Sequence, residues 1–429
     1  MKSLAKNLVA MVLGWQVRRL QKRHNFKVVA VAGSIGKTST KLAITQVLSQ
    51  GFRIQHQEGN YNDLVTVPLI FFGHQAPNIY NPLAWLLIFW KNEKTIRSAY
   101  PYEAVVVELG TDGPGQMRQY QRYIKADIGV LTAIAPEHME FFTDLDDVAR
   151  EELTISKMSK RLIVNKDLCP ADYLADVPDN TLTYAIKQPA DFRLGNIKFE
   201  GAEASFDISA GSNTFLRAAH ERVTEPQLYS INAAAAVGVQ MDMTPRAIED
   251  GIRSIKPVSG RMQQLAGING SIIIDDTYNA SPEAMRAALD TLYRIKTPQK
   301  IALLGNMNEL GGYSPAEHKK IGEYCDPREL DLVLTLGPDA NKYLAPAAEA
   351  KGCKVSTFDN PYTAGDYLKS VIKERAVILA KGSQNGVFAE EALKQILARP
   401  ADAKKLVRQS KNWMKIKHKA FASVKIKTT

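Results

Sequence analysis

A glycine-rich run at positions 33–38, GSIGKT, contains the residue types that bind the phosphates of a nucleotide. It follows a β-rich run ending in VVAVA and precedes a segment that predicts a helix from about Lys37, the context a phosphate-binding loop requires. Backbone N–H groups at a helix start point at phosphate oxygens, so Lys37 would neutralise the β- and γ-phosphates and Thr38 would offer its hydroxyl to Mg²⁺. A chance turn is the alternative. The nucleotide-binding residues predicted here are Gly33, Ser34, Gly36, Lys37, Thr38 and Ser39.

Two further side chains are candidates for a magnesium site. Glu108 lies at the end of the strand predicted from the run VVVEL, just before Gly110, and His138 follows the apolar run that ends at Ile134. Ligands of open α/β sheets bind at the carboxyl ends of the strands, and Mg²⁺ prefers carboxylate, hydroxyl and water oxygens. Taken singly, a glutamate or histidine at a strand end is more often structural, so each depends on its neighbours.

The strands that would position these groups alternate with helical stretches, which predicts an α/β fold. Unbroken apolar runs are typical of strands buried on both faces of a parallel sheet. Residues 180–225 read as short strands and turns, and a second α/β series starts near Pro257. We therefore divide the chain into a basic amphipathic helix (1–26), a nucleotide-binding domain with a mostly parallel sheet (27–256), a second α/β domain (257–400) and a basic tail (401–429).

The net charge of +10 is concentrated at the two ends, and the three cysteines form no CxxC pair. Leu4, Leu8, Met11 and Trp15 recur at helical spacing among basic residues, so the first helix either lies in a membrane interface or packs on the body. The run PLAWLLIFW at 82–90 is too short to span a bilayer and is predicted to be buried core, with a membrane-dipping element as the minor alternative. We expect a cytoplasmic monomer with peripheral contact to an anionic membrane and no specific nucleic-acid partner.

Several more motifs follow the loop in a fixed order, and together they resemble the Mur ligase family, over roughly residues 28–400. The family's loop has the short form Gly-[Ser/Thr]-x-Gly-Lys-[Thr/Ser], which fits Val31 where the general pattern has glycine. The similarity is nearest to the branch that adds D-alanyl-D-alanine. The other matching segments are Asn60–Asn62 with Val67-Pro68, Glu108–Gly110, Pro136–Glu140, Ser259–Met262, Asp275–Pro282, Gly305–Gly311 and Lys381–Ser383.

The resemblance implies a P-loop ATPase domain, a Rossmann-like C-terminal domain and a role for each matching residue. Lys37 would hold the phosphates of ATP, while Thr38, Glu108 and His138 would serve Mg²⁺ directly or through water. Asn232 would face the adenine, with a helix-surface role as the alternative. Arg261 would reach the phosphates, and Asp276 would contact the ribose or help to close the domains, with strand-end capping as the alternative.

The sequence departs from the family pattern at four places. Leu228-Tyr229 replaces the usual His-Asn, and Asn306 stands where the nearest relatives carry aspartate. Only 32 residues precede the loop, so we expect the uridine-nucleotide-binding domain to be absent or reduced to one helix. Glu152 stands where many members carry a carbamylated lysine; we predict that it replaces that group as a catalytic, magnesium-binding carboxylate. A solvated Glu152, with Lys157 or Lys160 in its role, is the alternative, and Glu151 is a weaker candidate.

The reaction implied is phosphoryl transfer from ATP to a substrate carboxylate, followed by attack of an amine on the acyl-phosphate. The expected substrates are a cell-wall peptide or muropeptide carboxylate and an amino acid or D-Ala-D-Ala. Two alternatives stay open at this point: an elongating ligase of the folylpolyglutamate or cyanophycin type, and a non-catalytic ATP-binding module that docks to membrane or nucleic acid.

Overall fold

The computed structural model describes residues 2–57, 63–175, 177–200, 203–221 and 224–421, and the segment Asn60–Asn62 lies outside them. The chain divides into two compact units, Met1–Ile255 and Lys256–Thr429, close to the position expected from the sequence. Each unit is an α/β structure built on one large sheet, so the predicted fold class is confirmed.

The first unit contains a nine-stranded sheet in the order β2-β3-β1-β4-β5-β6-β7-β8-β9. Strands β2 to β7 pair in parallel, and β7, β8 and β9 pair antiparallel, so residues 182–221 extend the same sheet. The strands are β1 (Lys27–Ala32), β2 (Ile54–His56), β3 (Ala104–Glu108), β4 (Ala126–Leu131), β5 (Ser159–Asn165), β6 (Leu182–Ala185), β7 (Phe192–Glu200), β8 (Glu203–Ala210) and β9 (Asn213–Glu221).

Helices cover both faces of this sheet, because its apolar strands must be buried on both sides. Helix α2 packs against α7 and α8, and a Cβ atom on Gly251 of α8 would come within 2.5 Å of the Val47 Cα, so only glycine permits this approach. The helices are α1 (Lys2–Arg23), α2 (Lys37–Leu48), α3 (Thr66–Ile70), α4 (Pro82–Arg97), α5 (Gln116–Gln121), α6 (Leu145–Glu152), α7 (Glu225–Gln240) and α8 (Pro245–Arg253).

Helices α1 and α4 correct two expectations about burial. Helix α1 packs on the body, but through Leu13, Val17 and Leu20 rather than through the predicted stripe, whose described members are exposed. The run at 82–90 was predicted to be core, and this is wrong: α4 buries Trp85 and leaves much of its apolar surface exposed. The reason is that a helix turns about 100° per residue, so nine consecutive apolar residues cannot all face the body. Within the described part of the chain, no helix has the length and apolar content to cross a bilayer.

The second unit contains a six-stranded sheet in the order β10-β11-β15-β12-β13-β14, parallel except for β10. Its strands are β10 (Gln263–Ala266), β11 (Ile272–Asp276), β12 (Lys300–Gly305), β13 (Leu332–Leu336), β14 (Val355–Phe358) and β15 (Val377–Lys381). Its helices are α9 (Pro282–Arg294), α10 (Ser314–Tyr324), α11 (Ala345–Ala350), α12 (Pro361–Val371), α13 (Glu390–Lys394) and α14 (Lys411–Ala420).

The segment expected to be a basic tail is folded in its described part, up to residue 421. Lys417 on α14 is fully buried, with its ammonium 2.8 Å from Glu390 and 2.6 Å from Glu391. Arg408 pairs with Glu390 and donates to the backbone carbonyl oxygens of Thr277 and Tyr278. The correction has a physical reason: buried carboxylates on α13 require counter-charges, and the basic segment provides them.

Candidate active site

The candidate site lies where the strand order of the first sheet reverses. Strand β1 lies between β3 and β4, which the chain reaches later on opposite sides of it. Val31 pairs with Glu108 and Ala32 with Leu131, so the carboxyl ends of the three strands are level. Ligands of open α/β sheets bind at such a switch point, and the glycine-rich loop follows β1 there.

The backbone of the loop adopts positive φ at both of its glycines. Gly33 and Gly36 have φ of 121° and 84°, and a Cβ atom on Gly33 would lie 2.4 Å from the Thr132 hydroxyl oxygen. Ser34 N donates to the Ala133 carbonyl oxygen at 2.9 Å, and the Ser34 hydroxyl accepts from Ala135 N at 3.0 Å. The loop is therefore fixed to the segment that follows β4, and α2 begins at Lys37 as predicted.

Lys37 is held inside this loop by oxygen atoms. Its ammonium donates to the Gly33 carbonyl oxygen at 2.6 Å and to Glu137 Oε2 at 3.1 Å. Burial disfavours the charged ammonium, but the carboxylates of Glu137, Glu152 and Glu108 outweigh it and raise the pKa of Lys37 above its usual value. Lys37 therefore remains a cation at neutral pH and can neutralise an anion such as a phosphate.

A buried trio connects the loop to the end of β3. The Thr38 hydroxyl donates to Glu108 Oε1 at 3.2 Å, and the Lys41 ammonium lies 3.4 Å from Glu108 Oε2. Lys41 is fully buried and Glu108 nearly so, and each needs the opposite charge of the other at this depth. Thr38 and Glu108 were expected at one site from the sequence, but Lys41, one helical turn after Lys37, was not predicted.

Glu152 lies beside the glycine-rich loop, where its carboxylate accepts from Gly33 N at 2.7 Å. Burial raises the pKa of Glu152 to about 7, against the opposing effects of Lys37 and of the Gly33 hydrogen bond. A solvated Glu152 is thus excluded. Lys157 is exposed, and Lys160 pairs with Asp127 at 2.9 Å near the amino ends of β5 and β4, the opposite edge of the sheet.

Glu151 has a different position and a structural role. Its carboxylate accepts from Gly115 N at 2.8 Å and from Met117 N at 2.6 Å, which caps the start of α5. A carboxylate at this point satisfies N–H groups that a helix start leaves without partners.

His138 follows β4 in a left-handed conformation, with φ of 53°. Its Nε2 lies 3.7 Å from Glu137 Oε1 and 3.8 Å from Asp112 Oδ1. Glu137 therefore lies between Lys37 and His138, and it was not among the predicted site residues. The sequence feature that could have identified Glu137 is its position next to His138 in the Pro136–Glu140 motif.

Asn232 on α7 is fully buried, and its amide nitrogen donates to the Ala185 and Phe192 carbonyl oxygens at 3.0 and 3.3 Å. It connects α7 to β6 and β7, so the helix-surface alternative is wrong. Any contact with an adenine would have to use its remaining oxygen, Oδ1.

Arg261 and Asp276 belong to the second unit, where the segment before β10 contacts the end of β11. Asp276 pairs with Lys381 at 2.6 Å and accepts from Met262 N at 3.1 Å, while Arg261 stacks 4.2 Å over the Tyr278 ring. Asp275 accepts from Gly260 N, and burial raises the pKa of Asp275 to about 6. These contacts fix the Ser259–Met262 segment to the end of β11.

The donors at the end of β1 and β3 fit a magnesium ion chemically. The Thr38 hydroxyl and the Glu108 carboxylate are hard oxygen ligands, and Mg²⁺ commonly combines one or two such groups with phosphate and water oxygens. Among the described residues, no group of three or more His, Cys, Asp or Glu side chains is arranged to hold a metal by itself.

Comparison with known proteins places both units in sequence families. Residues 31–239 match the model of the Mur ligase middle domain, and residues 260–384 match that of the Mur ligase, glutamate ligase domain. The UDP-N-acetylmuramoyl-tripeptide–D-alanyl-D-alanine ligase of Bacillus subtilis (strain 168) is 27% identical over 386 residues, 87% of this chain and 76% of that protein. The enzyme of the same name from Escherichia coli (strain K12) is 26% identical over 374 residues, which are 85% of this chain and 75% of that protein.

Solved structures give the same result. MurF ligase from Thermotoga maritima, in complex with ADP, superposes with a TM-score of 0.75 at 25% identity and covers 94% of this chain and 85% of its own. The two family models together span most of the chain, in the order in which the units occur.

Proposed function

The chain belongs to the Mur ligase family, and on that premise we propose that it joins D-alanyl-D-alanine to the carboxylate of a peptidoglycan-precursor peptide. Its class of reaction is that of an ATP-dependent acid–amino-acid ligase. Membership in this class disfavours the non-catalytic binding module. The observation that carries the choice of substrate is that relatives named for this activity match across both units, over more than four-fifths of the chain.

The chemistry proceeds in two steps. A carboxylate oxygen attacks the γ-phosphorus of ATP, ADP leaves, and an acyl-phosphate forms. The amine then attacks the acyl carbon, inorganic phosphate leaves with the C–O bond electrons, and the amine loses a proton to give the amide. Phosphoryl transfer is catalysed mainly by positioning and by neutralisation of charge, and the site is built from such groups.

The loop residues would act on the phosphates. Backbone N–H groups at the start of α2 would donate to the phosphate, and Lys37 would exchange its contact with Glu137 for a phosphate oxygen. The buried Lys41 holds the Glu108 carboxylate in place beside Thr38. Thr38 and Glu108 would hold Mg²⁺, with His138 and Glu152 acting through water or at a second ion, and a bound Mg²⁺ would neutralise phosphate charge.

The second unit would supply Arg261 to the phosphates and Asp276 to the nucleotide or to domain closure. In the structure, Asp276 is engaged by Lys381, so we propose that its first role is to hold the Arg261 turn in shape. Asn232 would reach adenine only through Oδ1.

The test is phosphate release and product mass with purified protein, ATP and Mg²⁺. The panel contains a UDP-linked muropeptide, the same peptide on a lipid carrier and a folate, each with D-Ala-D-Ala or with glutamate. We expect amide formation with a muropeptide and D-Ala-D-Ala only. Turnover confined to glutamate, or none with any muropeptide, would contradict the proposal, and the two muropeptides identify the carrier.

A further inference from the structure

We propose that α1 and α4 together form a docking surface for an anionic membrane. The surface is defined by the outward side chains of these two helices, and it is separate from the candidate active site. The proposal rests on the arrangement of apolar and basic groups and does not depend on the substrate of the ligase.

The two helices lie side by side and run in the same direction. Gln16 donates to the Phe89 carbonyl oxygen at 2.9 Å and accepts from the Asn92 amide at 2.8 Å. One turn further, Arg19 pairs with Glu93 at 2.5 Å, and His24 contacts the Ile96 carbonyl oxygen at 3.0 Å. Residue numbers therefore rise together along both helices, so their amino-terminal halves are adjacent and so are their carboxyl-terminal halves.

The adjacent segments up to Trp15 of α1 and Trp90 of α4 present large apolar side chains to solvent. On α1 these are Leu8, Met11 and Trp15, which are between 48% and 66% exposed. On α4 they are Leu83, Leu86, Leu87 and Trp90, which are between 51% and 77% exposed. Scattered apolar residues are normal on a surface, but a grouped set of seven on two neighbouring helices indicates a partner.

The segments that follow Trp15 and Trp90 carry basic side chains along the same outward stripes. Arg18 and Lys22 continue the spacing of Met11 and Trp15, and Lys94 and Arg97 continue that of Leu87 and Trp90, with Lys91 beside them; all five are exposed. The sole acid within residues 6–24 and 79–99, Glu93, is already paired with Arg19. The surface is thus positively charged next to its apolar part.

An anionic bilayer fits both halves of this surface. Leucine and tryptophan side chains enter the boundary between headgroups and acyl chains, and lysine and arginine meet the anionic headgroups. A second copy of the chain fits poorly, because an isologous contact would place the surface, with its unbalanced positive charge, against itself. The membrane contact therefore involves α4 as well as the N-terminal helix expected from the sequence.

The experiment is co-sedimentation of the full-length protein with vesicles of phosphatidylcholine alone or of phosphatidylcholine with roughly 30% phosphatidylglycerol. The second lipid is anionic and gives the vesicle a negative surface potential, as anionic lipids do in membranes. We expect binding to the anionic vesicles that weakens with salt. The double variant Leu86→Ser/Trp90→Ser changes only exposed side chains and should lower partitioning by about tenfold or more. Ligase turnover without lipid should stay unchanged in this variant, which separates the docking surface from the proposed function.

A matched pair of charge reversals tests the location. Lys22→Glu/Lys91→Glu/Lys94→Glu should reduce binding by about 100-fold or more, since each basic residue contributes about 1 kcal/mol, or roughly fivefold. As a matched control, lysine-to-glutamate changes at three exposed positions of α14, residues 411, 415 and 419, should weaken binding much less. Equal loss from both triples, equal binding to neutral vesicles, or no binding at all would overturn the proposal. So would a dimer in sedimentation velocity that Leu86→Ser/Trp90→Ser dissolves, because the surface would then be an interface between copies.

Discussion

Glu152 provides the sharpest test of the site, because the change Glu152→Gln removes its charge and keeps an oxygen that can accept from Gly33 N. If the carboxylate acts as an anion in catalysis, the variant should lose activity. A buried hydrogen bond to a charged group contributes about 1.5–3 kcal/mol, so we expect kcat/KM for ATP to fall between roughly tenfold and 150-fold. If Glu152 is only an acceptor for the loop, glutamine should support nearly full activity.

Stability should change in the opposite direction. The pKa of Glu152 is raised from 4.5 to about 7 by burial, so keeping this group ionised in the folded protein opposes folding. That cost is absent below about pH 4.5 and fully present above about pH 7, where it amounts to roughly 3–4 kcal/mol at 1.4 kcal/mol per pKa unit. Glu152→Gln should therefore be at least as stable as the wild type at pH 8 in thermal unfolding, although it is less active.

The pH profile gives an independent readout. Above pH 7 the carboxylate is ionised, and below it the proton is bound, so wild-type kcat/KM should fall about tenfold from pH 8 to pH 6. Glu152→Gln should lack this decrease. Full activity of the wild type in bicarbonate-free buffer would agree with a carboxylate that replaces a carbamate. A glutamine variant with wild-type activity, or a carbamate on the exposed Lys157, would refute the reasoning.

Three further expectations follow from the contacts. Lys37→Ala and Thr38→Ala should each lower kcat by about 100-fold to 1000-fold, because stabilisation of the transferring phosphoryl group is lost. Lys160→Ala, at the opposite edge of the sheet, should leave kcat unchanged. Steady-state phosphate release measures kcat, and wild-type turnover in the first two variants would disprove the loop assignment. Lys417→Met leaves Glu390 and Glu391 short of a counter-charge and should lower the free energy of unfolding by about 3–5 kcal/mol in urea titrations. The control Lys419→Met changes an exposed lysine and should alter the free energy of unfolding little. Equal effects of the two substitutions would contradict a structural role for the buried lysine. The pKa of Asp275 is raised from 3.8 to about 6, so its ionisation opposes folding as pH rises through this range. Relative to the wild type, Asp275→Asn should gain up to about 3 kcal/mol of unfolding free energy between pH 4 and pH 7. A difference in unfolding free energy between the two proteins that does not change with pH would show that Asp275 is not the group responsible.

The order of strands and helices could be predicted closely because the signals are local. Each buried strand is an unbroken apolar run, and the loop at 33–38 contains the glycines that a left-handed turn needs, so both are visible in short windows of sequence. The contact of Thr38 with Glu108 was also predictable, since the carboxyl ends of neighbouring parallel strands meet at one edge. The order of the family motifs also identified Glu152 as a candidate site residue, and its carboxylate accepts a hydrogen bond from Gly33 N.

Partners of single charges could not be predicted, because they depend on distances between segments that are far apart in the chain. Lys41 looks like any helical lysine until β3 brings Glu108 to it, and Glu137 looks like a loop residue until Lys37 reaches it. In the same way, the basic residues near the C-terminus gave no sign of burial, although Lys417 compensates two carboxylates.

The sequence by itself thus determined the fold class, the position of the glycine-rich loop and the candidate residues for phosphate and metal binding, because local pattern and motif order encode them. Only the tertiary structure decided which apolar residues are buried. Leu86 and Trp90 are apolar residues of the kind found in a core, but they are exposed, whereas Trp85 on the same helix is buried. Periodicity identifies the faces of a helix, but the neighbours that cover a face come from distant parts of the chain, and burial is therefore a property of the whole unit.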